Sequence, residues 1–301
     1  MMVREPVVAG RFYESHADTC RAHLDQLLCP AIPDPSSQAP FLTPLDSGVT
    51  RWIGGLVPHA GWSYSGAITA KVFRAIAAGH VPHTVVLFGG VHRCAGRQAA
   101  MFVGGEWETP LGRAKVDDRL AERLLGHTNL IVDDAYAHED EHSIEVQIPF
   151  VQHVFPDAKI LPIMVPPIPN AHEVGEAVAR TVEAYQYDVV VIGTTDLTHY
   201  GPAYGFTPHG RGAVGHRWAR EINDRRFIDL VIEMRSTDVV AEAALSHNAC
   251  SAGAVAATLR AVMALGATTA RLLAHTSSSE VAAGRGEDHD NSVGYAGVVF
   301  G

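Results

Sequence analysis

Apolar and β-branched residues gather in five short runs, 52–57, 84–88, 159–165, 188–192 and 293–300, each of which reads as a buried strand. Between them, longer stretches carry apolar residues at helical spacing: 65–78, 117–125, 172–185, 211–231 and 250–265. A leading amphipathic helix contains Cys20 and ends near Cys29. Alternation of strand and helix predicts an α/β fold, with a largely parallel or mixed central sheet flanked by helices. Two segments interrupt the rhythm. Residues 30–47 are rich in proline and read as an irregular surface excursion, and 277–291 read as a polar, glycine-containing loop ahead of the last strand.

Composition narrows what this frame can do. A chain of 301 residues that is 47% hydrophobic can bury one large core, so residues 1–301 are read as a single domain. A formal net charge of −10 supplies no basic footprint for a phosphate backbone, which argues against a nucleic-acid partner. No apolar run follows the first residues as a signal peptide requires, and none reaches membrane-spanning length; the expectation is a cytoplasmic protein without a membrane partner. The four cysteines, Cys20, Cys29, Cys94 and Cys250, form neither a disulfide scaffold nor a C-x-x-C pair. Cys20 and Cys29 read as packing residues.

The 17 histidines raise the question of metal. Ligands of open α/β sheets bind beyond the carboxyl ends of the strands, so the residues just after the apolar runs matter most. The first run ends in Val57-Pro58-His59-Ala60-Gly61-Trp62 and the second in Phe88-Gly89-Gly90-Val91-His92-Arg93. The 188–192 run leads into Gly193-Thr194-Thr195-Asp196-Leu197-Thr198-His199-Tyr200-Gly201. Any one of these residues could simply cap a helix or bond a loop carbonyl. Three at equivalent topological positions point instead to a ligand site. Imidazoles suit iron, copper and zinc, and two of them with one further donor leave positions open. Cys250 is a candidate for that donor because it begins an alanine-rich helix, whose N-terminus favours thiolate; a small buried packing residue is the alternative.

His138-Glu139-Asp140-Glu141-His142 matches H-E-x-x-H, a zinc-protease pattern that works only when both histidines share one helix face. Here the helical apolar pattern begins with Ile144, Val146 and Ile148, which puts His138 in the lead-in and out of register with His142. Glu139 and Asp140 fit an acidic helix start, whereas Glu141, His142 and Glu145 have no such simple account.

Taken together, several segments resemble the Memo family, the group of AmmeMemoRadiSam system protein B. They are Arg4-Glu5-Pro6-Val7-Val8-Ala9-Gly10-Arg11-Phe12-Tyr13, the His59 segment extended to Gly66, Glu141-His142-Ser143-Ile144-Glu145-Val146-Gln147-Ile148-Pro149-Phe150, the Asp196–His199 stretch, the Cys250 segment and Val293-Gly294-Tyr295-Ala296. The resemblance implies a fold related to class III extradiol dioxygenases, with His59, His92 and Cys250 at the metal-ligand positions. It also implies that Asp196, His199 and His142 line the same pocket as catalytic residues, with His199 as the acid/base. The dioxygenases carry a carboxylate where Cys250 stands, and the softer thiolate makes Fe(II) or Cu the expected ion. Where the family usually has Gly-Pro-Asn/Ser before the second histidine, this chain has Gly89-Gly90-Val91. Two functions fit: metal-dependent redox chemistry on a small molecule, or a non-enzymatic module that binds a peptide or protein on the same scaffold.

Overall fold

The computed structural model describes residues 2–29, 51–93, 96, 98–287 and 289–301; the proline-rich 30–47 segment and Cys94 lie outside the described residues. In chain order the first half runs β1 (Val3–Arg4), α1 (Ala17–Leu28), β2 (Gly54–Val57), α2 (Trp62–Ala77), β3 (Thr84–Gly89), β4 (Ala99–Met101), β5 (Glu106–Thr109), β6 (Gly112–Lys115), α3 (Asp118–His127) and β7 (Ile131–Asp133). The second half runs α4 (Ile148–Val154), β8 (Lys159–Met164), α5 (Ala171–Ala184), β9 (Val189–Thr194), β10 (His199–Tyr200), α6 (Ala213–Trp218), α7 (Asp224–Ile232), α8 (Val239–Ser246), α9 (Ala252–Ala264), β11 (Ala270–Ser277), α10 (Ser278–Ala283) and β12 (Ser292–Phe300).

The central sheet has the order β10-β12-β2-β9-β3-β8-β4-β7, with β11 also paired to β12. Its middle strands, β2, β9, β3 and β8, are parallel, while β12 and β4 join them antiparallel on either side. The sheet is therefore mixed, as the alternation of elements predicts. Strands β3 and β9 are buried at every position, which is why they read as unbroken apolar runs and not as alternating ones. Helices α1, α2 and α4 cover one face through Leu24, Phe73 and Phe150, and α5 and α9 cover the other through Val178 and Val255. Each such fully buried side chain contributes about 1.5–3 kcal/mol. A small sheet, β1-β5-β6, stands apart from the main one. Among the described residues no helix is long and apolar enough to cross a membrane.

Three readings of the sequence need correction, and one strand, β11, was not anticipated. The 277–291 segment is not wholly a loop: Ser277 and Glu280 form a reciprocal capping box that opens α10. Strand β11 escapes the pattern because it is a half-buried sequence, Ala-Arg-Leu-Leu-Ala-His-Thr-Ser, lacking both alternation and β-branched apolar residues. Cys20 is buried in α1 as expected, but Cys29 is exposed at the end of that helix, outside the core. The long helix expected over 211–231 is interrupted by a π-helical turn at Ala219–Asn223.

Candidate metal centre

Parallel pairing brings the chemistry together. In the β2–β9 register Val57 lies opposite Thr194, and β3 runs on the other side of β9, so the segments that follow these strands emerge side by side. His59 follows β2, His92 follows β3 and Asp196 follows β9. The backbone N–H of His59 donates to Asp196 Oδ1 at 2.8 Å, and His59 Nδ1 lies 3.1 Å from Thr194 Oγ1. Its other ring nitrogen, Nε2, lies 3.2 Å from Cys250 Sγ. Cys250 is held by a reciprocal pair: its N–H donates to the Asp196 carbonyl at 3.1 Å, and the Asp196 N–H points at its sulfur at 3.3 Å.

His92 is fixed from behind by Glu141. The carboxylate accepts from the His92 backbone N–H at 2.9 Å and from the Ser143 N–H at 2.8 Å, and Oε1 lies 2.9 Å from His92 Nδ1. His142 comes from the same loop. The ring centroids of His59, His92 and His142 are 4.8–5.4 Å apart. Among the described residues these three histidines form a group whose donor atoms lie within 4.8 Å of one another, an arrangement that could hold a metal ion.

Electrostatics differ sharply within this cluster. Burial disfavours a charged His92, but hydrogen bonds to Cys250 and Glu141 outweigh it and push its pKa up to about 9. Burial alone would raise the Glu141 carboxyl, yet the His92 contact and the surrounding N–H donors hold it well below the usual range. His142 is pulled down to about 4 by burial and by the charge of His59. Burial also lowers His199, with Asp196 opposing.

The loop bearing Asp196 and His199 is anchored on every side. Leu197 N–H donates to the Gly294 carbonyl at 2.8 Å and Gly294 N–H to the Thr198 carbonyl at 3.1 Å. Asp224 accepts from Thr198 N–H at 2.9 Å, and Asn223 Nδ2 reaches Thr198 Oγ1 at 3.1 Å. Both residues are aimed by the π-helical turn, a kind of irregularity that often marks functional regions. A Cβ on Gly294 would fall 2.1 Å from the Asp224 carboxylate, which explains the glycine in Val293-Gly294-Tyr295-Ala296.

Of the residues singled out in the sequence, His59, His92, His142, Asp196 and Cys250 come together, and His199 lies near enough for the charges of Asp196, His59 and His92 to act on it. His138 does not join them. It lies in a 3-10 turn, fully buried, with Nε2 donating to the Ala100 carbonyl at 3.1 Å and its ring packed on Phe102 and Trp107. No helix spans 138–142, so the H-E-x-x-H spacing has no shared face to act on. Glu145 serves structure: it accepts from Val7 N–H, Val8 N–H and the Tyr13 hydroxyl, and pairs with Arg4. Sequence reasoning gave no role to Thr194, Ser143, Asn223 or Asp224, which support the site without a recognisable spacing.

The unusual Gly90 also has an account. Its N–H donates to Ser143 Oγ at 3.0 Å, a bond proline could not make, and a Cβ there would lie 2.0 Å from Ser251 Oγ.

A model of Memo-like proteins matches residues 4–299. A MEMO1 family protein of Methanopyrus kandleri is 32% identical over 308 residues, covering 99% of each chain. Another from Pyrococcus furiosus is 34% identical over 312 residues, again covering 99% of both. Among solved structures, an uncharacterized protein from Escherichia coli K12 aligns with a TM-score of 0.51 at 12% identity, over 83% of this chain and 100% of that one; this likeness shows fold alone.

Proposed function

This chain belongs to the Memo family, and we propose that it carries a mononuclear metal centre, ligated by His59, His92 and Cys250, for redox chemistry on a small molecule, with His142, the third member of the histidine cluster, beside it. One observation carries the reading. The Nδ1 atoms of both histidines are taken up by Thr194 and Glu141, and the Nε2 of His59 faces the Cys250 sulfur. Such support from behind is what orients and strengthens imidazole ligands. The donor set fits Fe(II) or copper, because two imidazoles and a soft thiolate suit either. Such an ion, when bound, supplies one-electron redox capacity and an open position for a small ligand.

The protein's own groups would do the rest. Glu141 keeps the His92 ring in one orientation, and Asp196 locks the His59 and Cys250 backbones to each other. His199 Nδ1 faces the Leu197 carbonyl at 3.0 Å, a pure acceptor, so the proton sits on Nδ1 and Nε2 is the basic atom. With its pKa lowered by burial, His199 is neutral near pH 7 and suited to take a proton from a bound substrate. His142 is likewise kept neutral, and its lone pair is available as a further ligand or acceptor. The expected kinship to extradiol dioxygenases supports a redox role, while the cysteine separates this centre from their carboxylate-ligated iron.

Anaerobic purification with metal analysis, followed by an oxygen-uptake screen on catechols and other small reductants, tests the proposal. Metal-dependent uptake abolished by chelation is expected. A protein that takes up no metal, yet retains a peptide ligand after chelation, would favour the binding-module reading instead.

A further inference from the structure

Arg4 belongs to the small sheet and is remote in sequence from every residue of the site, yet it is only 4% exposed. Among the described residues, the hydrogen bonds of its side chain all go to one loop. Nε donates to the His138 carbonyl at 3.1 Å, Nη2 donates to the Glu141 carbonyl at 2.6 Å, and Nη1 pairs with the Glu145 carboxylate. The guanidinium lies over Trp107, 4.5 Å from the ring centroid. Glu145 returns the grip by holding Val7, Val8 and Tyr13 of the N-terminal segment.

The loop so clamped is the one that carries Glu141, His142 and Ser143. Between its two 3-10 turns, Tyr136–His138 and Glu145–Gln147, it has no regular hydrogen-bond ladder of its own. Its shape therefore depends on outside donors, and a planar guanidinium fork fits two carbonyls and a carboxylate as no lysine could. A buried ion pair is also a poor device for stability alone, since an apolar pair of equal volume often serves as well.

We infer that Arg4 is a positioning residue of the metal site, setting the 138–145 loop so that the Glu141 carboxylate meets His92 and His142 faces His59. The inference rests on the metal-centre reading. Its chain of contact is short: Arg4 holds the backbone of Glu141, and the Glu141 side chain holds the ring and N–H of His92.

The test compares Arg4→Lys with wild type, using Leu24→Ala, a core substitution in α1 outside the 138–145 segment, as a destabilised control. Two quantities are read: the hydrogen-bonded Nδ1–H resonance of His92 in metal-free, nitrogen-15-histidine-labelled protein, and the affinity for Fe(II) and Cu(I) by chelator competition. Arg4→Lys is expected to lose or shift the His92 signal while the His199 signal stays, and to bind metal about tenfold more weakly. Leu24→Ala is expected to change neither. A folded Arg4→Lys protein with the wild-type His92 signal and affinity would overturn the inference, as would equal losses in Leu24→Ala. If Arg4→Lys does not fold, Glu145→Gln loosens the same clamp from its other end and is read by the same criteria. A wild-type protein that takes no metal sinks the metal reading, and the His92 resonance then decides the role of Arg4 by itself.

Discussion

Cys250 Sγ and His59 Nε2 lie 3.2 Å apart although 191 residues separate them in the chain. The pairing depends on both backbone N–H groups donating to Asp196, that of His59 to its carboxylate and that of Cys250 to its carbonyl, while the Asp196 N–H meets the Cys250 sulfur. Soft sulfur beside an imidazole whose far nitrogen is already engaged is the core of the metal proposal.

Glu141→Ala should weaken metal binding by about 10–100-fold, because the His92 ring loses the partner that orients it. It also strands the N–H groups of His92 and Ser143, at a stability cost of about 2 kcal/mol or more. Chelator competition and urea denaturation measure the two effects separately. Glu141→Gln, which keeps an acceptor for one N–H, should lie between wild type and alanine in both.

His138 gives the fold a pH dependence distinct from the site. Burial pulls its folded pKa down to about 4, whereas a free imidazole titrates near 6.5. Between those values the unfolded chain takes up a proton that the folded chain refuses, so stability falls as pH drops through this window. The loss due to His138 should be about 2 kcal/mol at pH 5 relative to pH 7. His138→Phe should flatten that part of the profile while leaving metal content unchanged. Loss of metal in this variant would revive the H-E-x-x-H reading.

Gly90→Ala places a methyl 2.0 Å from Ser251 Oγ, and Ser251 adjoins Cys250. Strain of about 1–3 kcal/mol is expected, together with weaker metal binding as the Cys250 segment shifts. Gly90→Pro should be worse, since it also removes the N–H that Ser143 accepts. Thermal melts and metal titrations of the two variants rank them; an alanine variant indistinguishable from wild type would show that the close approach is not needed.

His199→Ala should separate proton transfer from ligation. The metal stoichiometry should stay at the wild-type value, while any metal-dependent oxygen uptake falls by about 10²–10⁴. Loss of metal in this variant would move His199 from the acid/base position into the ligand set.

The buried strands were legible because β3 and β9 are buried throughout and carry the unbroken apolar runs Val85–Phe88 and Val189–Ile192, and the strand ends marked His59, His92 and Asp196 through topology alone. Cys250 was visible from its place before α9. What stayed hidden has a common physical cause. Thr194, Ser143, Asn223 and Asp224 act by meeting backbone groups, a hydroxyl or a ring nitrogen across long sequence separations, and such contacts leave no periodicity. The π-helical turn that aims Asn223 and Asp224 looks like ordinary helix in the pattern of residues. Glu145 attracted attention as a carboxylate near the site, yet its donors are Arg4, Val7, Val8 and Tyr13, which places it in the clamp on the N-terminal segment.

Metal binding by wild type and Cys250→Ser after anaerobic reconstitution with Fe(II) or Cu(I) decides whether Cys250 is a ligand. One ion per wild-type chain is expected, with a sulfur scatterer at thiolate distance in its X-ray absorption spectrum, and a serine variant that loses that scatterer and most of its affinity. Equal metal content and an unchanged ligand spectrum in Cys250→Ser would contradict ligation by Cys250 and leave the three histidines as the donors.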